Sequence, residues 1–420
     1  MSSAVLTPEE KKRETFTMLI LAASMFTVIL DFMIVMPLGP QLMSVFGIGA
    51  SEFGHIVSAY TFSAGTTGIL SAFFIDRFDR KKLFLILYFG FTVGTLLCAM
   101  APNHMFMVLA RIVAGAFGGV LGAVTFSIIG DIIPYERRGA AMGIVMTSFS
   151  VASVAGVPFG LFLSSGYGWH APFYMLVIIC IIVFIGLWAV LPSLRSHMGQ
   201  KHNNPKETLT EVFSNTNHLW AFSLMVILMF SGFSIIPYIA TYMSKNVGVS
   251  DAELSLVYLF GGAATLLSSR IFGRLADKHG KLKIFTINTM LCSIPIISIT
   301  LWPQTSIWAI LPMSTLFFIV INGRMVPAMA MISGTPSPKI RGSFMSFSSS
   351  VQQISSGFAS LFAGWILGTT ASGQLTNYWI IGIGSVVLSF AAILIARKVR
   401  VQDMKPNTQT EVMPEAVPEI

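Results

Sequence analysis

One carboxylate stands alone in the first long apolar stretch of this 420-residue chain. The stretch runs from about residue 16 to residue 42, and Asp31, within LDFMIVMP, is its only acid. A base, Arg111, lies in a later apolar stretch that begins near residue 104. If each stretch is an α-helix that crosses a bilayer, Asp31 lies roughly 13 Å and Arg111 about 10 Å below the same bilayer surface. The two opposite charges are therefore predicted at similar depth.

A carboxylate and a guanidinium at such depth can carry out proton chemistry. An unpaired charge in hydrocarbon costs at least about 2.5–3.5 kcal/mol, so both groups must face a cavity or each other. Asp31 should stay ionised beside Arg111 and take up a proton when the arginine moves away. We expect the pair to bind and release a proton. A static ion pair between two helices, or direct contact with a substrate, are the alternatives.

A second buried base, Arg324 in FFIVINGRMVPAMAMISG, has no acid at matching depth in its half of the chain. We expect it to bind an anionic group of a substrate, or to pair with Asp131 or with backbone carbonyls. Other polar and aromatic side chains in the central stretches are candidate substrate ligands: Tyr60, Phe149, Ser231, Tyr238, Asn322 and Gln352.

The composition is that of an integral membrane protein. The chain is 54% hydrophobic and 10% charged, whereas soluble domains carry about 25% charged residues. This excludes a soluble enzyme. The three cysteines lie in apolar runs and the seven histidines are scattered, so we expect no disulfide, metal or cofactor.

Apolar runs of about 20 residues recur along the whole chain, and each can span a bilayer as a helix. We predict an all-α protein with twelve spans: 16–42, 51–75, 83–101, 104–131, 140–165, 169–192, 217–244, 251–272, 283–302, 305–332, 342–368 and 376–397. The polar break after span 6 divides the chain into five parts. These are an N-terminal tail (1–15), a six-helix bundle (16–192), a linker (193–216), a second bundle (217–398) and a disordered tail (399–420).

The basic residues indicate how the chain is oriented. Of the 26 Lys and Arg, 22 fall in the tails and in loops on one side, three fall in helices, and Lys245 alone lies on the other side. The positive-inside rule then places both termini in the cytoplasm. The net charge of +8 follows from this asymmetry, so it gives no reason to expect nucleic-acid binding.

Landmarks repeat along the chain at an offset of 200–203 residues. Pro37 corresponds to Pro237, Glu52 to Glu253, Asp76 to Asp277 and Arg138 to Arg341. A duplicated six-helix unit explains this spacing. Two parallel repeats enclose a cavity on their common axis near the membrane midplane. Asp31 aligns with Ser231 at the same offset, so the second half lacks the acid.

The sequence resembles the major facilitator superfamily over residues 16 to 398. The family's loop motif G-x-L-A-D-R-x-G-R-K is similar to GRLADKHGK (273–281), and its first copy keeps Asp76, Arg77, Arg80 and Lys81. Ala72 and Asp79 stand where the family has glycine. ARIVAGAFGG and AGVPFGLFL resemble elements of the drug:proton antiporter and sugar-efflux branch, although His170 in GWHAPF replaces a frequent arginine.

The resemblance implies that the two halves rock and that polar residues form a gate. Asp76 would accept hydrogen bonds from the start of span 11, and Asp277 from the start of span 5, because carboxylates are favoured at helix N-termini. Charged neighbours would form ion pairs that break on opening. The expected gating set is Asp76, Arg77, Arg80, Asp131, Glu136, Arg138, Asp277 and Arg341.

The preferred interpretation is alternating-access, proton-coupled export of small organic or amphipathic molecules, driven by the proton gradient. The alternatives are a symporter or facilitator of a small, anionic metabolite, or a lipid transporter of the same fold. No catalytic grouping supports a membrane enzyme. We expect a monomer in a cell membrane, the inner membrane of a bacterium, with protons, substrate and lipid as partners.

Overall fold

The computed structural model describes residues 8–71, 75–195, 205–337 and 340–401, and this part of the chain is almost entirely helical. The helices of the first half are α1 (Pro8–Ile34), α2 (Gly39–Phe46), α3 (Ala50–Ser71), α4 (Arg80–Ala99), α5 (His104–Ile132), α6 (Tyr135–Val151), α7 (Val157–Tyr167) and α8 (Ala171–Val190). Those of the linker and second half are α9 (Pro205–Ser214), α10 (Thr216–Phe233), α11 (Ile236–Tyr242), α12 (Asp251–His279), α13 (Lys281–Leu301), α14 (Ile307–Ser333), α15 (Arg341–Ile366) and α16 (Tyr378–Ala396).

Two π-helical turns adjoin α-helices and continue them where the α-helical hydrogen-bond pattern is interrupted. One (Ala152–Gly156) joins α6 to α7, and the other (Met243–Val247) extends α11. A hairpin of β1 (Gly368–Thr369) and β2 (Leu375–Thr376) joins α15 to α16. This hairpin is the one sheet of the described residues, and the all-α prediction did not include it.

Ten helical segments in the described residues are long and apolar enough to cross a membrane. A further span, α3, passes that test only together with α2, across a bend of 118°. The 26-residue α15 is equally long, but its eight serines lower its hydropathy. Since α3 and α15 pack against each other, much of their polar surface meets protein instead of lipid. Counting these two gives the twelve predicted spans.

Prolines break the first helix of each half at matching places. Pro37 lies in the turn between α1 and α2, and Pro237 is the second residue of α11, after α10 ends at Phe233. Proline lacks an N–H group and clashes with the carbonyl four residues earlier, so a continuous helix is disfavoured at both sites. The duplication read from the sequence therefore extends to the backbone.

Contact between the two halves is unequal along the molecule. We call the end at which α1 begins and α16 finishes the terminal end. Helices α3 and α15 touch along their whole length, from Gly54 beside Gly364 to Gly68 beside Ser350 near the terminal end. On the other flank, α12 contacts α7 and the Ala152–Gly156 turn but has few contacts with α6. The halves therefore meet fully on one flank and partly on the other.

The largest apolar core joins the two halves at the end opposite the termini. It combines Phe53 and Leu42 of the first half with Ile239 and Leu254 of the second. Polar contacts reinforce this closure, because the Gln41 amide donates to an Asp251 carboxylate oxygen at 3.0 Å. Each bundle also has a core of its own nearer the terminal end.

Several boundaries differ from the prediction for physical reasons. α12 runs to His279 and ends at Gly280, whose φ of +92° suits glycine, so most of GRLADKHGK is helix and not loop. The linker contains α9, which buries Val212 against the second bundle. α1 begins at Pro8, eight residues before the apolar run. The predicted disordered tail lies outside the described residues, apart from 399–401.

Candidate functional site

The central charged pair of the first half is an ion pair between α1 and α5. Arg111 Nη1 donates to Asp31 Oδ2 at 2.7 Å and to the Asp31 backbone carbonyl at 3.3 Å. The Asp31 side chain is 0% exposed and that of Arg111 is 1% exposed. The structure thus places the two predicted residues in direct contact and away from lipid.

Three further side chains complete the surroundings of the pair. The Thr95 hydroxyl, from α4, donates to the other carboxylate oxygen of Asp31 at 3.1 Å. The Arg111 guanidinium lies 4.2 Å from the centre of the Tyr60 ring, a cation–π contact. The Cys98 thiol lies close to both charges. Thr95 and Cys98 were not among the predicted site residues, and their three-residue spacing in an apolar helix was the available signal.

Glycines allow the helices that carry this cluster to approach closely. A Cβ atom on Gly115 would lie 2.3 Å from the Tyr60 carbonyl oxygen, so α5 can pack on α3 only with glycine there. A Cβ atom on Gly94 would lie 2.6 Å from the Ala114 backbone nitrogen, which sets the distance between α4 and α5. Arg111 lies one helical turn from these contacts, and its position follows from them.

The chemistry open to this cluster is exchange of a counter-charge. In this conformation Arg111 supplies the positive charge that a buried, ionised Asp31 needs. A proton on Asp31 would supply the same neutralisation and leave Arg111 without its partner. Breaking a buried pair by removing one member costs roughly 3–5 kcal/mol, enough to change which conformation of the protein is favoured.

In the second half, Arg324 of α14 is also buried and is 1% exposed. Its Nη1 donates to the Ser231 hydroxyl of α10 at 3.0 Å and to the Ser389 hydroxyl of α16 at 2.8 Å. The Ser385 hydroxyl lies 3.1 Å from that of Ser231. The predicted pairing of Arg324 with Asp131 is not among the contacts of the described residues. Ser385 and Ser389 were missed, although their four-residue spacing places both on one helix face.

The seven predicted substrate ligands do not form one site. Tyr60 belongs to the Asp31 cluster, and Ser231 belongs to the Arg324 cluster. Tyr238 is fully buried in the closure opposite the termini, where its hydroxyl donates to the Ser360 carbonyl at 2.8 Å. Sequence gives the depth of these residues but not the direction in which each side chain points.

The other three predicted ligands are partly accessible. The Phe149 side chain is 47% exposed, and Asn322 and Gln352 are half-buried. Asn322 of α14 is held in place by α12, because its amide donates to the Ser269 hydroxyl at 2.7 Å. These three remain candidates for contact with a substrate between the halves.

Three of the predicted gating residues, Arg80, Asp131 and Arg138, make side-chain contacts within the described part of the chain. Arg80 Nε pairs with Asp131 at 2.5 Å, which joins α4 to α5 within the first half. The Arg138 guanidinium donates to the Gly130 and Ile133 carbonyls at the end of α5. Arg77 is exposed, and Arg341 begins α15.

The expected contact between Asp277 and a helix N-terminus is not present in the described part of the structure. Asp277 is exposed near the end of α12, on the flank where α12 and α6 have few contacts. The side chains of Asp76 and Glu136 lie outside the described part of the structure. The expected gating contacts therefore stay a prediction.

Asp79 has a role that the sequence analysis did not assign. It caps α4 by accepting from the Lys81 backbone N–H at 2.9 Å, and it binds the Ser193 hydroxyl and Arg195 Nε in the segment after α8. Burial alone would raise the pKa of Asp79, but these hydrogen bonds outweigh it and hold the pKa well below its usual value. An acid where the related motif has glycine thus anchors the start of the linker.

Comparison with known proteins agrees with this architecture. A family model described as Major Facilitator Superfamily matches residues 21–323 and 221–418. YceJ of Bacillus subtilis strain 168, an uncharacterised transporter of this type, is 25% identical over 88% of this chain and 91% of its own length. A chloramphenicol resistance protein of Streptomyces lividans is 21% identical over 85% of this chain and 89% of its own.

Solved structures show the same fold at lower identity. A D-xylose–proton symporter superposes with a TM-score of 0.75 and 16% identity, covering 92% of this chain and 98% of that one. An inward-facing, unoccupied bacterial homologue of the human lysosomal transporter Spinster gives 0.73 and 16%, covering 94% and 98%. The family match, the twelve spans and the paired halves lead to one assignment: the chain belongs to the Major Facilitator Superfamily.

Proposed function

We propose that this protein exports small organic or amphipathic molecules in exchange for protons, by alternating access. Family and fold are those of multi-pass membrane transporters, and family members bind small-molecule substrates. The observation that carries the proton coupling is the fully buried contact of Asp31 with Arg111. A carboxylate at that depth is a functional residue by default, because burial without a purpose would be costly.

The coupling follows from competition for one negative charge. When Asp31 is ionised, it holds Arg111 at 2.7 Å and ties α1 to α5. When Asp31 is protonated, Arg111 loses its counter-charge and must turn to another acceptor or to water. A change of protonation therefore favours a change in the packing of α1 against α5, and a substrate that attracts Arg111 would have the same effect.

The conformation supports alternating access through the unequal contact between the halves at its two ends. The halves are joined opposite the termini by the shared apolar core, by the hydrogen bond from the Tyr238 hydroxyl to the Ala50 carbonyl and by the Gln41–Asp251 contact. At the terminal end, α6 and α12 have few contacts. If both termini are cytoplasmic, as the basic residues predict, this is the conformation in which a substrate enters from inside the cell.

Export is favoured over import by one relative that matches most of the chain. That relative is named a chloramphenicol resistance protein, and export of a drug is one way in which a transporter confers resistance. The symporter likeness concerns the fold alone. We accordingly propose a bacterial inner membrane as the location, and a monomer as the working unit, because the two halves enclose one axis.

Reconstitution tests the proposal. Small molecules, chloramphenicol first, are screened by thermal shift on the purified protein, and a stabilising compound is then used in proteoliposomes that hold a pH-sensitive dye. Wild-type protein should move compound and protons in opposite directions. Asp31→Asn should still bind the compound but move no protons with it, whereas the exposed linker acid control Glu211→Gln should behave as wild type.

Two results would contradict the proposal. Undiminished compound-driven proton movement by Asp31→Asn would remove Asp31 from the coupling. Movement of protons and compound in the same direction would replace export by symport.

A further inference from the structure

The buried arginines of the two halves have hydrogen-bond partners of different charge. Arg111 Nη1 meets a carboxylate, Asp31, whereas Arg324 Nη1 meets the hydroxyl of Ser231, the residue at the matching position of the second half. Both contacts join the first helix of a half to its fourth spanning helix. The second half thus keeps the cation of the pair and lacks the anion.

No carboxylate of the second half is placed to replace Asp31. Between residues 217 and 401 the acids are Asp251, Glu253 and Asp277, and all three lie near the ends of α12. Arg324 makes its hydrogen bonds in the described residues from Nη1 alone, and its buried Nε has no partner there. The Nε of Arg111 lacks a partner in the described residues as well, so what distinguishes Arg324 is a positive charge that no neighbouring carboxylate balances.

A guanidinium group carries a positive charge and donates hydrogen bonds without accepting any. Hydroxyl oxygens offer lone pairs but no net charge. The three serines are small, and their hydroxyl groups can rotate from accepting to donating. A group that brings one negative charge and several acceptor lone pairs would replace the hydrogen bonds that these hydroxyls now make with one another, such as the 2.7 Å contact of Ser231 with Ser389.

We propose that Arg324, with Ser231, Ser385 and Ser389, forms a binding site for a small monovalent anion inside the second half. The anion occupies the role that the Asp31 carboxylate has in the first half. Its chemistry, one negative charge on a compact acceptor, is shared by a halide ion and by the carboxylate of a transported molecule. The site does not depend on the proposed proton coupling, because it lies in the other bundle and uses none of its residues.

The test is a thermal-shift titration on the purified full-length protein. Sodium chloride and sodium acetate are each titrated against sodium HEPES, whose anion is too bulky for the site, at constant ionic strength. A saturable rise in the melting temperature of about 2–4 °C is expected for the wild type. A response to both anions indicates a general small-anion site, and a response to acetate alone indicates recognition of a carboxylate.

Variants establish where the anion binds. Arg324→Gln should abolish the rise. Ser231→Asp should also abolish it, while melting without added anion at or above the temperature of the anion-saturated wild type, because the new carboxylate supplies the charge. This second variant keeps the test valid if Arg324→Gln folds poorly.

Two controls separate the site from the rest of the protein. Ser314→Ala removes a buried hydroxyl on the same helix that only bonds the Leu311 carbonyl, and should keep the full response. Asp31→Asn should keep it as well, so failure of the proton-coupling proposal leaves this test unaffected. The inference is overturned if the wild type shows no saturable rise, or if Ser231→Asp responds to the anions as the wild type does.

Discussion

Ser231 takes the place in the second half that Asp31 takes in the first, and each accepts a hydrogen bond from a buried arginine of the fourth spanning helix of its half. The distances are 3.0 Å from Arg324 and 2.7 Å from Arg111. Duplication thus preserved a helix-to-helix contact while the charge of one partner changed. The proposed proton exchange needs the carboxylate that the first half has at this contact, and the second half has a hydroxyl there instead.

The first prediction concerns the stability of the Asp31–Arg111 pair. Asp31→Asn and Arg111→Gln should each destabilise this conformation by roughly 3–5 kcal/mol, because each leaves one buried charge alone. The double variant should melt at a higher temperature than either single variant, since no uncompensated charge remains. Melting temperatures of the three purified variants measure this, and a double variant that loses the sum of both single losses would contradict it.

The second prediction concerns the closure opposite the termini. Tyr238→Phe removes the hydrogen bond, at 3.3 Å, from its hydroxyl to the Ala50 carbonyl of the first half, at a cost of about 1 kcal/mol to the closed state. The bond to the Ser360 carbonyl is also lost, but it lies within the second half and does not join the halves. A Cβ atom on Gly54 or on Gly364 would lie 2.7 Å from that hydroxyl oxygen, so the hydroxyl has room only because both residues are glycine. The ratio of open to closed molecules at this end should rise about fivefold. Spin labels on the exposed residues Ser165 and Ser372 report the separation.

A matched tyrosine provides the control for this closure. Tyr242 donates to the Trp302 carbonyl within the second half, at 3.0 Å. Tyr242→Phe therefore removes a similar bond without affecting the contact between halves. Equal shifts in the label distances for both variants would show that Tyr238 has no special part in the closure.

The third prediction concerns the glycine-lined contact of α3 with α15. A methyl group at Gly65 would lie 2.6 Å from the Ile354 side chain and 3.1 Å from the Ser350 carbonyl, so the helices must separate. Gly65→Ala should lower the melting temperature and slow transport. Gly384→Ala is the control, since its new methyl group meets no atom within 4 Å. Unchanged melting of Gly65→Ala would mean that the helices are not held this closely.

The fourth prediction concerns pH and Asp79. Its pKa is lowered in the folded protein, so its contribution to stability is present above the unfolded value near 4 and is lost as the pH falls toward the folded value. Asp79→Ala should lose about 1 kcal/mol as a helix cap. The difference in melting temperature from wild type should be constant between pH 5 and 8 and shrink below pH 4. A difference that instead grows on acidification would refute the lowered pKa.

Hydropathy was sufficient to predict the spans, and the helical rise was sufficient to predict that Asp31 and Arg111 lie level with each other. These properties depend on position along the chain, and a helix converts position into depth at a constant rise. Pro37 and Pro237 could be paired for the same reason. The family resemblance over residues 16 to 398 is confirmed by the family match.

The direction of side chains around each helix was not predictable in the same way. Tyr238, Asn322 and Gln352 lie in central stretches, yet the structure distributes them among a closed interface and two partly open surfaces. Rotation of a helix about its axis is fixed by packing, here by close contacts such as those of Gly115, and spans that are apolar all round give little periodic signal. Asp79 was missed because it was compared with a glycine motif instead of being read as the cap of the helix that starts at Arg80.

The unequal contact on the two flanks makes relative motion of the bundles directional. A rotation about a line parallel to α3 and α15 would part α6 from α12 while most of the glycine-lined interface stayed buried. Any rotation about the opposite flank would expose that whole interface to solvent or lipid. The least costly displacement of the two halves would therefore separate α6 from α12 on a single side of the molecule. The resulting opening would face sideways and would not surround the axis between the halves.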